Sequence, residues 1–290
     1  LEVLVMDGAS TDNSASIAES FRDRLPGIEV IANPARIQAA AFNLGLARAR
    51  GEIIVRMDAH AEYGPDYIPE AVRLLTTSGA ANVGGPQRAV GESSLTRAIA
   101  VAVSSRLGAG DASYRYAAEP TWTDTVFLGA WHKTTLERLG GMRPDWAVNE
   151  DYEMNYRLRS DGGRILVSPS MQVSYFVRGS LPKLARQYFR YGFWKVRTLT
   201  LHPKSLRWRQ LVAPALVGYL LLLPVEWRLV GPAASFPGLL YLVAVGATAA
   251  LAAGLGKDRL WLPIVYPAIH LSWGLGFLLG WFRWLPPGRR

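Results

Sequence analysis

Two kinds of apolar pattern alternate over the first 75 residues of the chain. Short continuous apolar runs, typical of buried strands, occupy residues 2–6, 28–32 and 52–57. The segments between and after them predict helices from the turn at 7–12 to about residue 24, at 37–50 and at 65–75. Strands that alternate with helices predict an α/β fold, in which a mostly parallel sheet carries helices on both faces.

Residues 82–199 show a looser pattern. We predict a helix over 93–107, a strand over 125–128, and a helix from the polar cluster at 149–153 to about residue 160. The segment 180–199 is also helix-like, and its basic side chains lie largely away from one apolar face. The apolar face consists of Leu181, Leu184, Tyr188 and Tyr191. A basic amphipathic helix of this kind either lies along lipid headgroups or packs on a soluble domain.

Three long apolar runs close the chain, at residues 211–225, 233–255 and 260–282. The last two contain 23 residues each without Asp, Glu, Lys or Arg, which is long enough to cross a bilayer. The first has 15 residues and contains Pro214 and Pro224, so it is a kinked span, a re-entrant segment or an interfacial helix. The pattern predicts three parts: a catalytic domain over 1–180, a basic interface helix over 181–209, and a membrane anchor of two to three transmembrane helices over 210–290.

Charge is distributed unevenly along the 290 residues, whose formal net charge is +9. Residues 1–182 contain 18 Lys and Arg against 21 Asp and Glu, whereas residues 183–290 contain 14 against 2. A basic and apolar C-terminal third without a recognition motif favours contact with membrane lipids and no nucleic-acid partner. Eight basic residues between Lys183 and Arg209 place the preceding domain on the cytoplasmic face of the inner membrane, as part of a multi-pass protein. The lack of cysteine excludes thiolate metal sites and thiol nucleophiles.

Acidic residues follow two of the predicted strands. Asp7 and Asp58 each come directly after a strand, and ligands of α/β sheets bind at the carboxyl ends of strands. Each could instead be a cap or turn residue, but two at equivalent positions favour a shared crevice. Glu150 and Asp151, after Asn149, open a predicted helix. They are either ordinary partners of the helix dipole or a pair in which one carboxylate acts as a general base.

Four motifs occur in an order and approximate spacing typical of one enzyme family. They are Asp7-Gly8-x-Ser10-Thr11-Asp12, Arg56-Met57-Asp58-Ala59-His60-Ala61, Asn149-Glu150-Asp151-Tyr152-Glu153-Met154-Asn155 and Gln187-Tyr188-Phe189-Arg190-Tyr191-Gly192. About residues 1–210 thus resemble the family 2 glycosyltransferases of the Rossmann-like GT-A fold, and more narrowly the ExoA-type glucosyltransferases of succinoglycan biosynthesis. Because family enzymes begin with one more strand, the resemblance implies that a chain starting at Leu1 is truncated at its N-terminus.

The resemblance implies a role for five of these residues. Asp7 would contact the uridine portion of a UDP-sugar, and Asp58 would contact the ribose or a metal ion. Asp58 and His60 stand where the family has Asp-x-Asp, so they would hold a divalent cation, Mn²⁺ or Mg²⁺, against the diphosphate leaving group. Imidazole favours Mn²⁺; alternatively, His60 is an ordinary loop histidine. Asp151 would be the general base for the acceptor hydroxyl, and Glu150 would orient or help to bind the acceptor.

The motif that contains Gln187, Arg190 and Tyr191 resembles the family's Gln-x-x-Arg-Trp. The resemblance implies that Gln187 and Arg190 help to bind the donor diphosphate, and that the aromatic ring lines the acceptor site. Alternatively, Arg190 is one more cation that faces lipid headgroups. Tyrosine in place of tryptophan, together with the small number of spans, argues against a processive polymer synthase.

These features predict a metal-dependent, inverting hexosyltransferase of exopolysaccharide biosynthesis. By the resemblance, it would transfer a sugar, glucose from UDP-glucose, to a polyprenyl-diphosphate-linked saccharide. Two alternatives stay open: a polyprenyl-phosphate sugar synthase, whose phosphate acceptor needs little base catalysis, and a catalytically silent membrane scaffold. A small transporter is disfavoured, because the last two apolar runs contain no Asp, Glu, Lys or Arg that would mark an ion path.

Overall fold

The computed structural model describes residues 1–284, so positions 285–290 of the predicted membrane anchor lie outside the described residues. The strands are β1 Val3–Asp7, β2 Ile28–Ala32, β3 Ile53–Val55, β4 Ala61–Tyr63, β5 Asn82–Gly85, β6 Arg88–Val90, β7 Thr121–Thr123, β8 Phe127–His132, β9 Ile165–Val167 and β10 Val173–Phe176. The α-helices are α1 Ser14–Glu19, α2 Gln38–Arg48, α3 Tyr67–Thr77, α4 Ser94–Ser104, α5 Arg106–Ala109, α6 Lys133–Arg138, α7 Glu150–Ser160, α8 Leu181–Leu201, α9 Arg209–Val230, α10 Phe236–Leu251 and α11 Leu262–Trp284.

The chain divides into two compact units that interleave along the sequence. The first unit comprises Leu1–Pro86 and Ala117–Val173, and the second comprises Gln87–Tyr116 and the described residues from Ser174 onwards. The division predicted from the sequence, into a catalytic domain over 1–180, an interface helix over 181–209 and a membrane anchor over 210–290, stays a prediction. The first unit contains the predicted acidic site residues, whereas the second contains Gln187 and Arg190.

The first unit contains a five-stranded sheet in the order β3-β8-β5-β9-β7 and a separate parallel pair, β1 and β2. β5 and β9 are parallel, whereas β8 is antiparallel to β3 and β5, and β7 is antiparallel to β9. The predicted α/β class is confirmed, but the pairing is mixed rather than mostly parallel. The reason is that β7 and β8 lie outside the alternation of strands and crossover helices that generates parallel neighbours.

The core of the first unit lies between this sheet and α3. Tyr67, Ala71, Leu74 and Leu75 of α3 recur at helical spacing, are buried, and pack against strand residues that include Val83. Packing of α3 fixes the edge strand β3, and the backbone N–H of Arg56 extends this edge by donating to the Gly129 carbonyl at 3.0 Å. The residues directly after β3 are therefore held at a defined position, which matters for Asp58.

The second unit contains the apolar C-terminal helices. Two stretches of described residues, Arg209–Leu251 and Ala253–Trp284, are long and apolar enough to cross a membrane. Helices α8 and α11 pack closely through glycines, at which an added Cβ would overlap a backbone carbonyl of the facing helix. These close approaches pair Gly192 with Trp273, Gly276 with Phe189, and Gly280 with Phe193. Small residues allow two helix backbones to approach in this way, as in membrane helix pairs.

Gly276→Ala is expected to destabilise the second unit by about 1–3 kcal/mol, because the new methyl group would overlap the Phe189 carbonyl and separate the helices. Gly218→Ala in α9 is the matched control, since a Cβ at Gly218 meets nothing within 4 Å. Thermal unfolding in detergent, followed by circular dichroism, measures the difference. Equal Tm values for the two variants would contradict the close packing of α8 on α11.

Candidate active site

Asp58 lies just beyond β3, and its carboxylate is held from two sides. Arg56 Nε donates to Asp58 Oδ1 at 3.1 Å, and Gln38 Nε2 donates to Oδ2 at 2.9 Å. The Tyr63 hydroxyl accepts from the Asp58 N–H at 2.6 Å and donates to the Asp58 carbonyl at 3.3 Å. Both the side chain and the backbone of Asp58 are thus fixed before any ligand binds, which lowers the entropic cost of binding.

Arg56 links Asp58 to Glu150. Its Nη2 lies 3.4 Å from Asp58 Oδ2 and 3.6 Å from Glu150 Oε1. The side chains of Arg56, Asp58 and Glu150 are 9%, 12% and 7% exposed, so solvent screens these ion pairs little. The buried Nη1 of Arg56 has no hydrogen-bond partner in the part of the chain that the structure describes. A spare N–H of a buried guanidinium is a ready donor to an anionic oxygen.

The electrostatics of this cluster are dominated by burial. Burial raises the pKa of Glu150 to about 7; the Asp151 carboxylate acts in the same direction, and Arg56 acts against both. Burial also lowers the pKa of Arg56, but the carboxylates of Asp58, Glu150 and Asp151 outweigh this and raise it overall. Arg56 is therefore a permanent cation, whereas Glu150 changes its charge close to neutral pH.

Helix α7 places Glu150 and Asp151 in its first turn, as predicted from the sequence. Asn149 precedes the helix in the left-handed region, with φ of +64°, a conformation that asparagine tolerates better than most residues. Asp151 Oδ1 accepts from the Tyr152 N–H at 2.6 Å. Asp151 is half-buried, whereas Glu150 is buried, so Asp151 is the carboxylate of the pair more open to a substrate.

Two other members of the polar cluster hold α7 in place. Glu153 is fully buried and accepts from Arg157 Nη2 at 2.9 Å and from Arg143 Nε at 2.9 Å. The buried Asn155 Oδ1 accepts from Asn82 Nδ2 of β5 at 2.8 Å, which joins the helix to the sheet. The first turn of α7 is therefore positioned by buried hydrogen bonds and ion pairs, although the buried Oδ1 of Asn82 has no hydrogen-bond partner among the described residues.

Asp7 and His60 lie in turns of the first unit. Asp7 ends β1, and its carboxylate accepts from the Ser10 hydroxyl at 2.5 Å and from the Ser10 N–H at 3.2 Å. His60 is exposed in the turn between β3 and β4. Within residues 1–284, no group of three or more His, Asp or Glu side chains is arranged to hold a metal ion. A cation held by Asp58 and His60 would have to take its remaining ligand oxygens from a bound diphosphate and water.

The predicted residues of the second unit lie on α8. Gln187 Nε2 donates to the Tyr191 hydroxyl at 2.8 Å and to the Tyr175 hydroxyl at 3.0 Å, so both of its amide hydrogens serve to fix two tyrosines. Arg190 is exposed on the same helix. The structure brings Asp58 and Glu150 together through Arg56, whereas Gln187 and Arg190 belong to a separate unit.

Sequence reasoning assigned no role to Arg56, Gln38 or Tyr63, which surround Asp58. The sequence does contain a sign that Arg56 has a partner. It is a charged residue inside the apolar run 52–57, and a charged side chain in a buried strand is unusual unless it is paired. Gln38 and Tyr63 carry no comparable signal. Their contacts with Asp58 depend on how the chain folds around the end of β3.

The chain is similar to known glycosyltransferases. Residues 1–123 match the glycosyl transferase family 2. The succinoglycan biosynthesis protein ExoA of Rhizobium meliloti (strain 1021) is 32% identical over 288 residues, which cover 95% of this chain and 84% of that protein. A dolichyl N-acetyl-alpha-D-glucosaminyl phosphate 3-beta-D-2,3-diacetamido-2,3-dideoxy-beta-D-glucuronosyltransferase of Methanococcus voltae is 26% identical over 199 residues, 66% of this chain and 62% of that protein.

The chain belongs to glycosyl transferase family 2, in the ExoA-like group, as the sequence motifs predicted. The α/β sheets and the apolar C-terminal helices agree with the GT-A fold class and the C-terminal anchor predicted for it. Among solved structures, S. aureus TarS 1–349 in complex with UDP has a TM-score of 0.47 and 15% identity, covering 97% of this chain and 82% of that chain.

Proposed function

We propose that this protein is an inverting, metal-dependent hexosyltransferase. It transfers a sugar, most simply glucose, from a UDP-sugar to a hydroxyl group of a lipid-linked saccharide during exopolysaccharide biosynthesis. The observation that carries the proposal is the buried cluster in which Arg56 joins Asp58, at a strand end, to Glu150 in the first turn of α7. This cluster gathers carboxylates for the donor and for the acceptor around one fixed cation.

On the donor side, Asp7 binds the uridine portion, and Asp58 with His60 would hold a divalent cation. When bound, the cation neutralises the charge that develops on the leaving diphosphate. The carboxylate of Asp58, positioned by Arg56 and Gln38, would hold this cation, and the spare Nη1 of Arg56 offers a hydrogen bond to an anionic oxygen. Arg190, which belongs to the second unit, stays a candidate cation for the diphosphate on the strength of its motif alone.

On the acceptor side, Asp151 takes the proton of the acceptor hydroxyl. As that proton moves to the Asp151 carboxylate, the acceptor oxygen bonds to the anomeric carbon, and the bond from that carbon to UDP breaks with both electrons leaving on UDP. One displacement of this kind inverts the anomeric configuration. Glu150 is held by Arg56 and orients the acceptor, while the more open Asp151 performs the proton transfer.

The relatives and the C-terminal helices support the proposed setting. ExoA is named for succinoglycan biosynthesis, and the Methanococcus voltae relative is named as a transferase acting on a dolichyl-linked sugar phosphate. Two stretches could cross a membrane, and eight basic residues between Lys183 and Arg209 favour a catalytic domain on the cytoplasmic side. We therefore propose a multi-pass protein of the cytoplasmic membrane, where UDP-sugars and lipid-linked saccharides meet.

The test is sugar transfer by the purified protein in detergent. Radiolabelled UDP-sugars are offered one at a time with a lipid-linked saccharide fraction and Mn²⁺, and labelled glycolipid is separated by chromatography. We expect one donor to label the lipid, EDTA to abolish the labelling, and a β-glycosidase to release the sugar. No labelling from any UDP-sugar, in a preparation that is folded, would contradict the proposed function.

A further inference from the structure

Helices α8 and α11 of the second unit lie side by side and run in the same direction. An added Cβ at Gly276 would overlap the Phe189 carbonyl, and one at Gly280 would overlap the Phe193 carbonyl. Both contacts advance by one helical turn on each helix, so the two helices are parallel. Because their backbones touch, neither helix can change its orientation without the other.

The contact between the two helices extends along most of α11. Near its N-terminal end, Val265 belongs to the same buried apolar cluster as Leu184 of α8. At its C-terminal end, the Trp284 ring packs against the Trp194 ring, with centroids 5.6 Å apart, and the Arg197 guanidinium lies 4.8 Å from the Trp284 centroid. Helices α8 and α11 therefore share one orientation relative to a membrane.

The charge of α8 opposes a crossing of the bilayer. Its 21 residues contain no Asp or Glu and five basic residues, namely Lys183, Arg186, Arg190, Lys195 and Arg197. Arg190 directly follows Phe189, which contacts Gly276 near the middle of α11, and Arg186 lies one turn earlier. Both arginines are exposed, so a crossing would place them in the hydrocarbon layer, where a charged side chain is costly. What excludes α8 from the hydrocarbon layer also excludes α11, which lies along it.

One face of α11 is nevertheless exposed and apolar. Ile264, Leu275, Leu279 and Phe282 are 51%, 44%, 44% and 79% exposed. At 3.6 residues per turn these four side chains fall on one narrow stripe, here called the apolar stripe. An exposed apolar stripe beside a basic helix suits the boundary between lipid headgroups and acyl chains.

We propose that α11 does not cross the membrane, although the stretch Ala253–Trp284 is long and apolar enough to do so. Instead, α8 and α11 lie together along the cytoplasmic surface of a bilayer that contains anionic lipids. The apolar stripe enters the acyl boundary, and the basic side chains of α8 meet the headgroups. The inference rests on the proposed membrane setting and not on sugar transfer.

The passes of the proposed multi-pass protein then belong to Arg209–Leu251, the other stretch able to cross. Its large apolar side chains are widely exposed, as in Leu221 at 69% and Leu242 at 63%. Because α8 and α11 lie at one surface, the chain between them crosses an even number of times.

Depth measurements along α11 test the proposal. The chain contains no cysteine, so a nitroxide can be attached at Ile264→Cys, Leu275→Cys or Phe282→Cys alone. In vesicles of phosphatidylcholine and phosphatidylglycerol, electron paramagnetic resonance with oxygen and a nickel complex gives the depth of each label. We expect all three labels at one depth, about 5–10 Å below the headgroups. A crossing helix rises about 1.5 Å per residue and would separate Ile264 from Leu275 by about 16 Å in depth, which would overturn the proposal. Lys257→Cys, exposed in the turn before α11, is the control at headgroup level.

Sidedness gives a second measurement, for use if the stripe variants do not fold. Lys257→Cys and Arg283→Cys flank α11 at exposed positions, and a membrane-impermeant maleimide is added to inverted vesicles or to spheroplasts. Both cysteines should react in inverted vesicles only, and reaction from opposite sides would overturn the proposal. If Arg283→Cys reacts in neither, green fluorescent protein fused to the C-terminus should fluoresce, whereas an active alkaline phosphatase fusion there would overturn it.

Failures of the related proposals can be told apart. Ala233→Cys, between α9 and α10, should react in spheroplasts. Its reaction in inverted vesicles instead would remove the proposed passes and leave α11 at the surface, in support of the present proposal. Absence of sugar transfer would remove the proposed function without moving any label.

Discussion

Asp151→Asn is expected to lower kcat by about 10²–10⁴-fold, the usual contribution of a positioned general base. The amide keeps the size of the carboxylate but cannot take the proton of the acceptor hydroxyl. Because Asp151 has no proposed role in donor binding, the affinity for UDP should stay at the wild-type value. Initial rates at saturating donor and acceptor, together with a UDP titration, measure the two effects separately.

Glu137→Gln provides the control for Asp151→Asn, since Glu137 is an exposed carboxylate of α6 paired with Lys133 at 3.5 Å. It should turn over at the wild-type rate. Near-normal turnover of Asp151→Asn would exclude base catalysis by this residue. That result would favour a polyprenyl-phosphate sugar synthase, whose acceptor is a phosphate that is already ionised.

Arg56→Met is expected to be the most damaging substitution for both folding and activity. It leaves the buried carboxylates of Asp58 and Glu150 without their cation, and breaking a buried ion pair in this way typically costs about 3–5 kcal/mol. The loss of the Nε and Nη2 contacts also frees the Asp58 carboxylate, and small displacements of catalytic groups reduce rates about 10²-fold. Thermal unfolding and kcat/KM of the same preparation test both effects.

The pH dependence of stability should distinguish Arg56→Met from other destabilising substitutions. Burial raises the pKa of Glu150 to about 7, so between its unfolded pKa near 4.5 and about 7 the folded state binds more protons than the unfolded state. The contribution of Glu150 to stability is therefore largest below pH 4.5 and is lost as the pH rises towards 7. The positive charge of Arg56 lowers the pKa of Glu150. Arg56→Met therefore raises this pKa further, and the loss of stability continues to higher pH.

Two variants serve as controls for Arg56→Met. Arg73→Met removes an exposed ion pair with Glu70, which water and salt screen, so its Tm should stay close to that of the wild type across pH 5–9. Arg56→Lys keeps the charge but loses the planar, forked contact with Asp58, so its Tm and kcat/KM should fall between those of the wild type and Arg56→Met. If Arg56→Met had the stability and activity of Arg73→Met across pH 5–9, the linking role of Arg56 would be wrong.

Much of the fold could be predicted because its apolar residues form clear strand-like runs or recur at helical spacing. The predicted segments at 2–6, 28–32, 37–50 and 65–75 correspond closely to β1, β2, α2 and α3. The predicted helix to residue 24 is wrong in length, because α1 ends at Glu19 and buries none of its residues, so no packing extends it.

The prediction is poorer around β8, because the backbone there adopts conformations that the pattern of apolar residues does not reveal. The predicted strand at 125–128 is displaced, since β8 covers Phe127–His132. Within it, Leu128 and Gly129 have φ of +65° and +108°, values outside the normal strand region. A local pattern of side chains does not encode such an irregularity.

The candidate site was predictable only in part. Asp58 and Glu150 stand at a strand end and a helix start, so their positions follow from local structure. The contacts of Arg56 with Glu150, and of Gln38 with Asp58, join residues far apart in the sequence and arise only when the sheet edge and α7 come together.

The central claim is a donor site built on Asp58, and a calorimetric titration of UDP with and without Mn²⁺ tests it most directly. We predict that the wild-type protein binds UDP in a Mn²⁺-dependent way and that Asp58→Ala weakens binding by about tenfold or more, as expected when a metal ligand is lost. Asp66→Ala, which replaces an exposed aspartate before α3, should bind as the wild type does. No binding of UDP by the folded wild-type protein under either condition would contradict the glycosyltransferase mechanism and leave a catalytically silent membrane scaffold.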